Sequence, residues 1–198
     1  MTAGIRSQLV EAHRELMAAA IERDGAAQRA LLMGDTATAG VEFTEAAALY
    51  RQSWEAAPPA SYGRLVGMLK SAVLAGVGED EAARYVGTAL GADSHESATA
   101  AYARAIAALI EGDDHAARES AAVMRSGSAA FVRTADAIVA LASGDEPAYA
   151  QAIEAIVRDF ESRTDHLTGV AIADTAVMLE RLAARRGISA AVESPLLP

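Results

Sequence analysis

Apolar residues recur along the chain at the three- and four-residue spacing of a single helix face. Ile5, Leu9, Ala12, Leu16 and Ala20 share a stripe that Met17 and Ile21 widen, which predicts an amphipathic helix over 5–23. Gly25 is expected to interrupt it, with a short helical piece over 26–33 that is either a kinked continuation or a second helix. Phe43, Ala47, Tyr50 and Trp54 form the next stripe, on a long helix over 38–56. Pro58-Pro59 ends that helix, because proline lacks the N–H and restricts the residue before it. Leu65, Val66, Leu69, Val73 and Leu74 mark a helix over 62–75 with Ser61 as its cap, and Tyr85, Val86 and Leu90 mark a shorter one over 80–90.

The second half repeats the pattern more regularly. Asp93-Ser94-His95-Glu96 has the form of a capping box and opens a helix running to Glu111. Asp113 opens the next, ending near Arg125, and Ser128 caps the helix of Phe131, Ile138 and Leu141. Asp145-Glu146-Pro147 opens another, with Tyr149, Ile153, Ile156, Val157 and Phe160 as its stripe and Pro147 in the first turn, where it is tolerated. The run V-A-I-A-D-T-A-V-M-L places a last helix over 169–186, buried on more than one side and stopped by Gly187. No stretch alternates with period two, so the expected fold is all-α.

Turn residues say how the helices connect. Residues 105–116, A-I-A-A-L-I-E-G-D-D-H-A, and 137–148, A-I-V-A-L-A-S-G-D-E-P-A, are two versions of one passage. In each, Gly ends a helix in the left-handed conformation and Asp caps the next, a helix–tight turn–helix hairpin. L-L-M-G-D-T-A (31–37) and L-A-G-V-G-E-D-E-A (74–82) are looser versions. The expectation is a stack of antiparallel hairpins over 1–198, a short α-solenoid. The tail 188–198 has no helical period; Val192, Leu196 and Leu197 predict that it docks on the last hairpin rather than hanging free.

Composition narrows the chemistry. Alanine is the most frequent residue, so helices are expected to pack closely. The formal net charge of −10, spread over both halves, leaves no basic stripe for nucleic acid. Cysteine is absent, which excludes disulfides, thiolate metal sites and a cysteine nucleophile. No run approaches the ~20 apolar residues of a membrane span, and the charged first helix does not resemble a signal peptide. A cytoplasmic location, with no membrane or nucleic-acid partner, is the expectation.

His13, His95, His115 and His166 form no H-x-x-x-H or H-E-x-x-H spacing, and neither a nucleophile elbow nor a phosphate-binding glycine loop occurs. We therefore expect no cofactor, no metal and no catalysis. Gly63 and Gly67, four apart on one helix, allow close packing. The candidates for binding are Trp54, Tyr62 and Arg64 around the Pro58-Pro59 turn, since these residue types are enriched in binding hot spots. Trp54 also completes the Phe43–Tyr50 stripe, a core position. Asp136 and Asp174 are the other candidates, carboxylates inside apolar runs. A buried Asp174 needs a partner, for which Arg133 and Arg181 are candidates.

The hairpins resemble the tetratricopeptide class: E-G-D-D-H-A-A and S-G-D-E-P-A-Y are similar to its turn, and E-A-A-A-L-Y-R-Q-S-W-E-A-A-P (45–58) to its second helix and closing proline. Glycines 34, 76, 112 and 144 lie 42, 36 and 32 residues apart, against ~34 throughout in a strict array. The class's first-helix Trp and Leu-Gly pattern is missing. Gly187–Pro198, ending V-E-S-P-L-L-P after a helix with A-D-T-A-V-M-L-E-R-L-A, resembles the C-terminus of the immunity protein 49 family. That resemblance implies a helical protein that neutralises a bacterial toxin by binding it, with the toxin as partner. A small-molecule sensor or carrier, with a pocket between hairpins, is the alternative; a deep pocket with convergent polar groups would favour it.

Overall fold

The computed structural model describes residues 2–91, 94 and 96–198, with side chains from Glu11 onward. Among these residues the chain is all-helical: α1 (Thr2–Leu32), α2 (Thr36–Ala56), α3 (Gly63–Ala75), α4 (Glu79–Ala89), α5 (Ala98–Glu111), α6 (Asp114–Met124), α7 (Ala129–Ser143), α8 (Glu146–Glu161) and α9 (Asp174–Ala184). No helix among them is long and apolar enough to cross a membrane.

The hairpin turns form as the Gly-Asp pairs require. Gly112 and Gly144 hold φ of 77° and 65° and close α5 and α7, donating their backbone N–H to Ala108 and Ala140. Asp113 and Asp145 then accept from the N–H of Ala116 and Ala148 at the start of α6 and α8. Asp35 does the same for Thr38 in α2. These local bonds end one helix and start the next within a few residues.

Helix ends differ from the expected ones in detail. Gly25 does not interrupt α1, which is continuous; a Cβ there would lie 3.0 Å from the carbonyl oxygen of Thr168, so this glycine admits a neighbouring strand of chain. Ser61 does not cap α3, because its hydroxyl donates to the Pro58 carbonyl at 2.8 Å and the cap position falls to Tyr62. Ser128 occupies the cap of α7 without a side-chain hydrogen bond. The capping box at 93–96 involves Asp93 and His95, which lie outside the described residues; Ser97 caps α5, accepting from Ala100 N–H at 3.3 Å.

The largest correction concerns the last helix. Residues 162–173 are not helical, and α9 begins only at Asp174. Gly169 turns the chain with φ of 69°. Val170 and Ile172 are then buried with Ala171 exposed between them, and the Ile172 N–H donates to the Val170 carbonyl at 3.0 Å, a tight turn in place of helix. The tail joins this segment, with the Ala173 N–H donating to the Leu196 carbonyl at 3.0 Å.

One apolar core, rich in alanine, runs from α1 to Ile188. Helices α3, α5 and α7 pack on one another in succession, and α9 lies against α3, α7 and α8. A Cβ on Gly67 would come within 2.8 Å of the Tyr50 ring, so this glycine lets α2 and α3 approach; Gly63 has open space instead. The tail is docked, with Val192, Leu196 and Leu197 half-buried against the core and Ser194 donating to Glu161 at 2.7 Å.

Candidate functional site

Between α1, α3, α5, α7, α8, α9 and the non-helical segment 162–173 lies a cavity of about 250 Å³. Its walls are partly apolar, with Phe131, Ile156, Phe160, Val170 and Ile172, and polar groups converge on it from distant parts of the chain. Lys70, on α3, donates to Asp174 at the first position of α9, and to Thr175 Oγ1 at 3.2 Å. Burial works to lower the Lys70 pKa, but the Asp174 carboxylate and neighbouring anionic groups outweigh it, and the ammonium is held above its ordinary value.

Asp24, on α1, is 8% exposed and accepts from Gln28 Nε2 at 3.0 Å and Tyr50 OH at 3.1 Å. Both donors are neutral. Burial pushes its carboxyl up to about 6, against the pull of Lys70 and its own hydrogen bonds and with the Asp174 charge adding to the rise. Tyr102, on α5, is 8% exposed, and its hydroxyl makes no well-formed hydrogen bond among the described residues. Burial raises its pKa, which keeps it a neutral donor.

At the opposite wall, Asp159 bridges Arg133 and Arg163, which donates from Nε at 3.1 Å. The Arg163 guanidinium lies 3.8 Å over the Phe160 ring, on which His166 also stacks. Thr168 closes the rim by donating to Gln28 Oε1, tying the non-helical segment to α1.

Of the five residues singled out from sequence, only Asp174 lines this cavity. Its partner is Lys70, not Arg133 or Arg181. Arg133 is taken by Asp159, and Arg181 donates to the Leu74 carbonyl. Asp136 sits on the surface, paired with Arg125 at 2.7 Å. Trp54 and Tyr62 come together, ring centroids 5.8 Å apart, and Arg64 lies beside them. Arg64 spends its donors inside the fold, giving Nε to Ser53 Oγ at 2.8 Å and facing His13 Nδ1 at 2.9 Å. His115 makes a surface contact with Glu119 at 3.8 Å. Among the described residues no three His, Asp or Glu lie close enough together to hold a metal ion.

Sequence reasoning missed Asp24, Lys70 and Tyr102. Lys70 had a signal: it is the only lysine of the chain and interrupts the apolar run L-V-G-M-L-K-S-A-V-L.

A second feature is the edge formed by the hairpin turns. Arg185 of the α9 C-terminus reaches Glu79 at 2.8 Å and Arg186 reaches Asp114 at 3.1 Å, which puts the α3–α4 and α5–α6 turns side by side. Arg118, near the start of α6, donates to Ala142 near the end of α7 at 2.8 Å, which adds the α7–α8 turn. A Cβ on Gly40, near the start of α2, would lie 3.9 Å from Ala75 O at the end of α3, which adds the α1–α2 turn. The edge carries Asp35, Glu79, Asp80, Glu81, Asp113, Asp114, Asp145 and Glu146. On it, or within two turns of it, are three large apolar side chains in solvent: Met33, Val41 and Val77, exposed by 77%, 60% and 59%.

In comparisons with known proteins, no family model, no curated protein and no solved structure matches this chain.

Proposed function

We propose that this is a non-catalytic protein-binding module, an immunity-type protein that neutralises a bacterial toxin by occupying its surface. The observation that carries the proposal is the turn edge, where Met33, Val41 and Val77 stand exposed among carboxylates. Large apolar side chains in solvent with a charged rim are the composition of a docking surface. The carboxylates match a basic partner and speed its encounter, an effect that salt weakens. The resemblance of Gly187–Pro198 to the immunity protein 49 C-terminus supports the toxin as that partner. In this reading the helices form a short tetratricopeptide-like solenoid, and the protein works in the cytoplasm, where a toxin's target would be.

The test is to express each neighbouring candidate toxin gene with and without this protein. Protection, with a purified complex burying at least ~1,000 Å², is the expected result. Met33→Asp and Val77→Asp should weaken that complex tenfold or more at unchanged melting temperature. Persistent toxicity with no complex would overturn the proposal.

A second reading, a helical carrier or sensor of a small molecule, is favoured by the cavity and its inward-facing polar groups.

A further inference from the structure

Three properties of the cavity bear on what fits it. The first is its charge. Lys70, Arg133 and Arg163 stand against Asp24, Asp159 and Asp174, three cations and three carboxylates. A ligand with net charge would add an unbalanced charge to this set where water is partly excluded, a costly arrangement. A neutral or zwitterionic ligand would not.

The second is a set of unused hydrogen-bonding positions. The Tyr102 hydroxyl, more than nine-tenths buried, makes no well-formed hydrogen bond among the described residues; its polar neighbour Thr175 already accepts from Lys70. The Lys70 ammonium has three N–H bonds and gives two, to Asp174 and Thr175. These are two donors suited to a carboxylate. Asp24 accepts only from Gln28 and Tyr50 and forms no ion pair among the described residues, leaving lone pairs for a cation. Its raised pKa, about 6, has the same origin: a buried carboxylate without a cation in contact. The third property is size. About 250 Å³ falls just below the ~300–1,000 Å³ of drug-sized sites, and Phe131, Ile156 and Phe160 supply an apolar wall.

We propose that the cavity binds a small zwitterion with ammonium and carboxylate on one carbon, an α-amino acid with an apolar side chain. Its carboxylate meets Tyr102 and Lys70, its ammonium meets Asp24, and its side chain lies toward Phe131 and Phe160. The inference rests on the second reading, that the cavity holds a small molecule.

Calorimetric titration of the full chain with alanine, valine, leucine and phenylalanine tests it. Leucine is accompanied by 3-methylbutylamine, which lacks the carboxylate, and 4-methylpentanoate, which lacks the ammonium. The expected result is that at least one amino acid binds, with both truncated analogues tenfold or more weaker. Tyr102→Phe and Asp24→Asn, both nearly isosteric, should each weaken binding about tenfold or more. Equal binding of either analogue would overturn the zwitterion and leave the second reading standing. No binding by any of the four amino acids would overturn the zwitterion. The second reading falls separately, if a broad metabolite library gives no thermal shift that Tyr102→Phe abolishes. If Asp24→Asn fails to fold, the analogue series on the unaltered protein still decides.

Discussion

The hairpins α5–α6 and α7–α8 and the closing segment 162–198 are held by different means. Each hairpin closes through bonds between near neighbours: a left-handed glycine, an aspartate accepting from an N–H three residues on, and apolar faces a few turns apart. The closing segment has local bonds too, among them the Gly187 N–H to the Ala184 carbonyl, but distant bonds join it to the rest of the molecule. It is tied down by Thr168 to Gln28, Asp174 to Lys70, Arg181 to the Leu74 carbonyl and Arg186 to the Leu109 carbonyl, spans of 140, 104, 107 and 77 residues. Hairpins so built are stable to the extent that their own turns are; the closing segment is stable only if the rest of the molecule already is. Its loss should therefore leave the hairpins standing.

The strongest way to break that asymmetry is Lys70→Met, which keeps the apolar stem and strands the Asp174 carboxylate in a poorly solvated site. The expected cost is about 3–4 kcal/mol, read from urea midpoints, with part restored by adding Asp174→Asn. Hydrogen exchange should show amides of 174–184 losing protection while those of α5 to α8 keep theirs. Equal loss in both would mean that the two regions unfold together.

Protonation of Asp24 sharpens the same contrast, because the group lies where α1 meets the cavity. Folded, its carboxyl titrates at about 6, against an ordinary value of 3.8. Between those values the folded state binds more protons than the unfolded one, so stability falls as pH rises from about 4 to about 6, and stays lower above that. The full loss is about 3 kcal/mol. It should appear as a narrowing gap between Asp24→Asn at pH 7 and pH 4, where the neutral amide and the protonated acid behave alike. Parallel pH–stability curves for the two proteins would show that Asp24 titrates normally.

Within the hairpins the effects should be smaller and confined to turns. Gly112→Ala and Gly144→Ala meet no steric obstacle, so each should cost only the left-handed backbone penalty, about 1 kcal/mol. Unchanged midpoints in both would refute that conformation. Smallest of all is Asp136→Ala. The Arg125–Asp136 pair is nearly half exposed on both sides, and its removal should shift the midpoint by no more than about 0.5 kcal/mol.

The same division governs what the sequence reveals. Gly112-Asp113 and Gly144-Asp145 are legible because every atom that fixes their geometry lies within a few residues. The start of α9 is not, since V-A-I-A has helical composition and its departure from the helix involves Leu196, a distant acceptor for the Ala173 N–H. Asp174 was visible as a carboxylate in an apolar run, yet its partner was not. Arg133 and Arg181 are nearer to it in sequence and engaged elsewhere, whereas Lys70 reaches it only through the packing of α3 on α9. Trp54 and Tyr62 come together at the Pro58-Pro59 turn, but Arg64 is committed to Ser53 and His13.

The 104 residues between Lys70 and Asp174 also set an order of events at the ribosome. At ~5–20 residues per second, the lysine is made roughly 5–20 s before its counter-ion exists. Throughout that interval the nascent hairpins expose an ammonium and the apolar faces of α3 and α7 that α9 later covers. The cavity is thus the last part of the molecule to be assembled, and a chain stalled before Thr168 has the helices of its walls without a rim to close them.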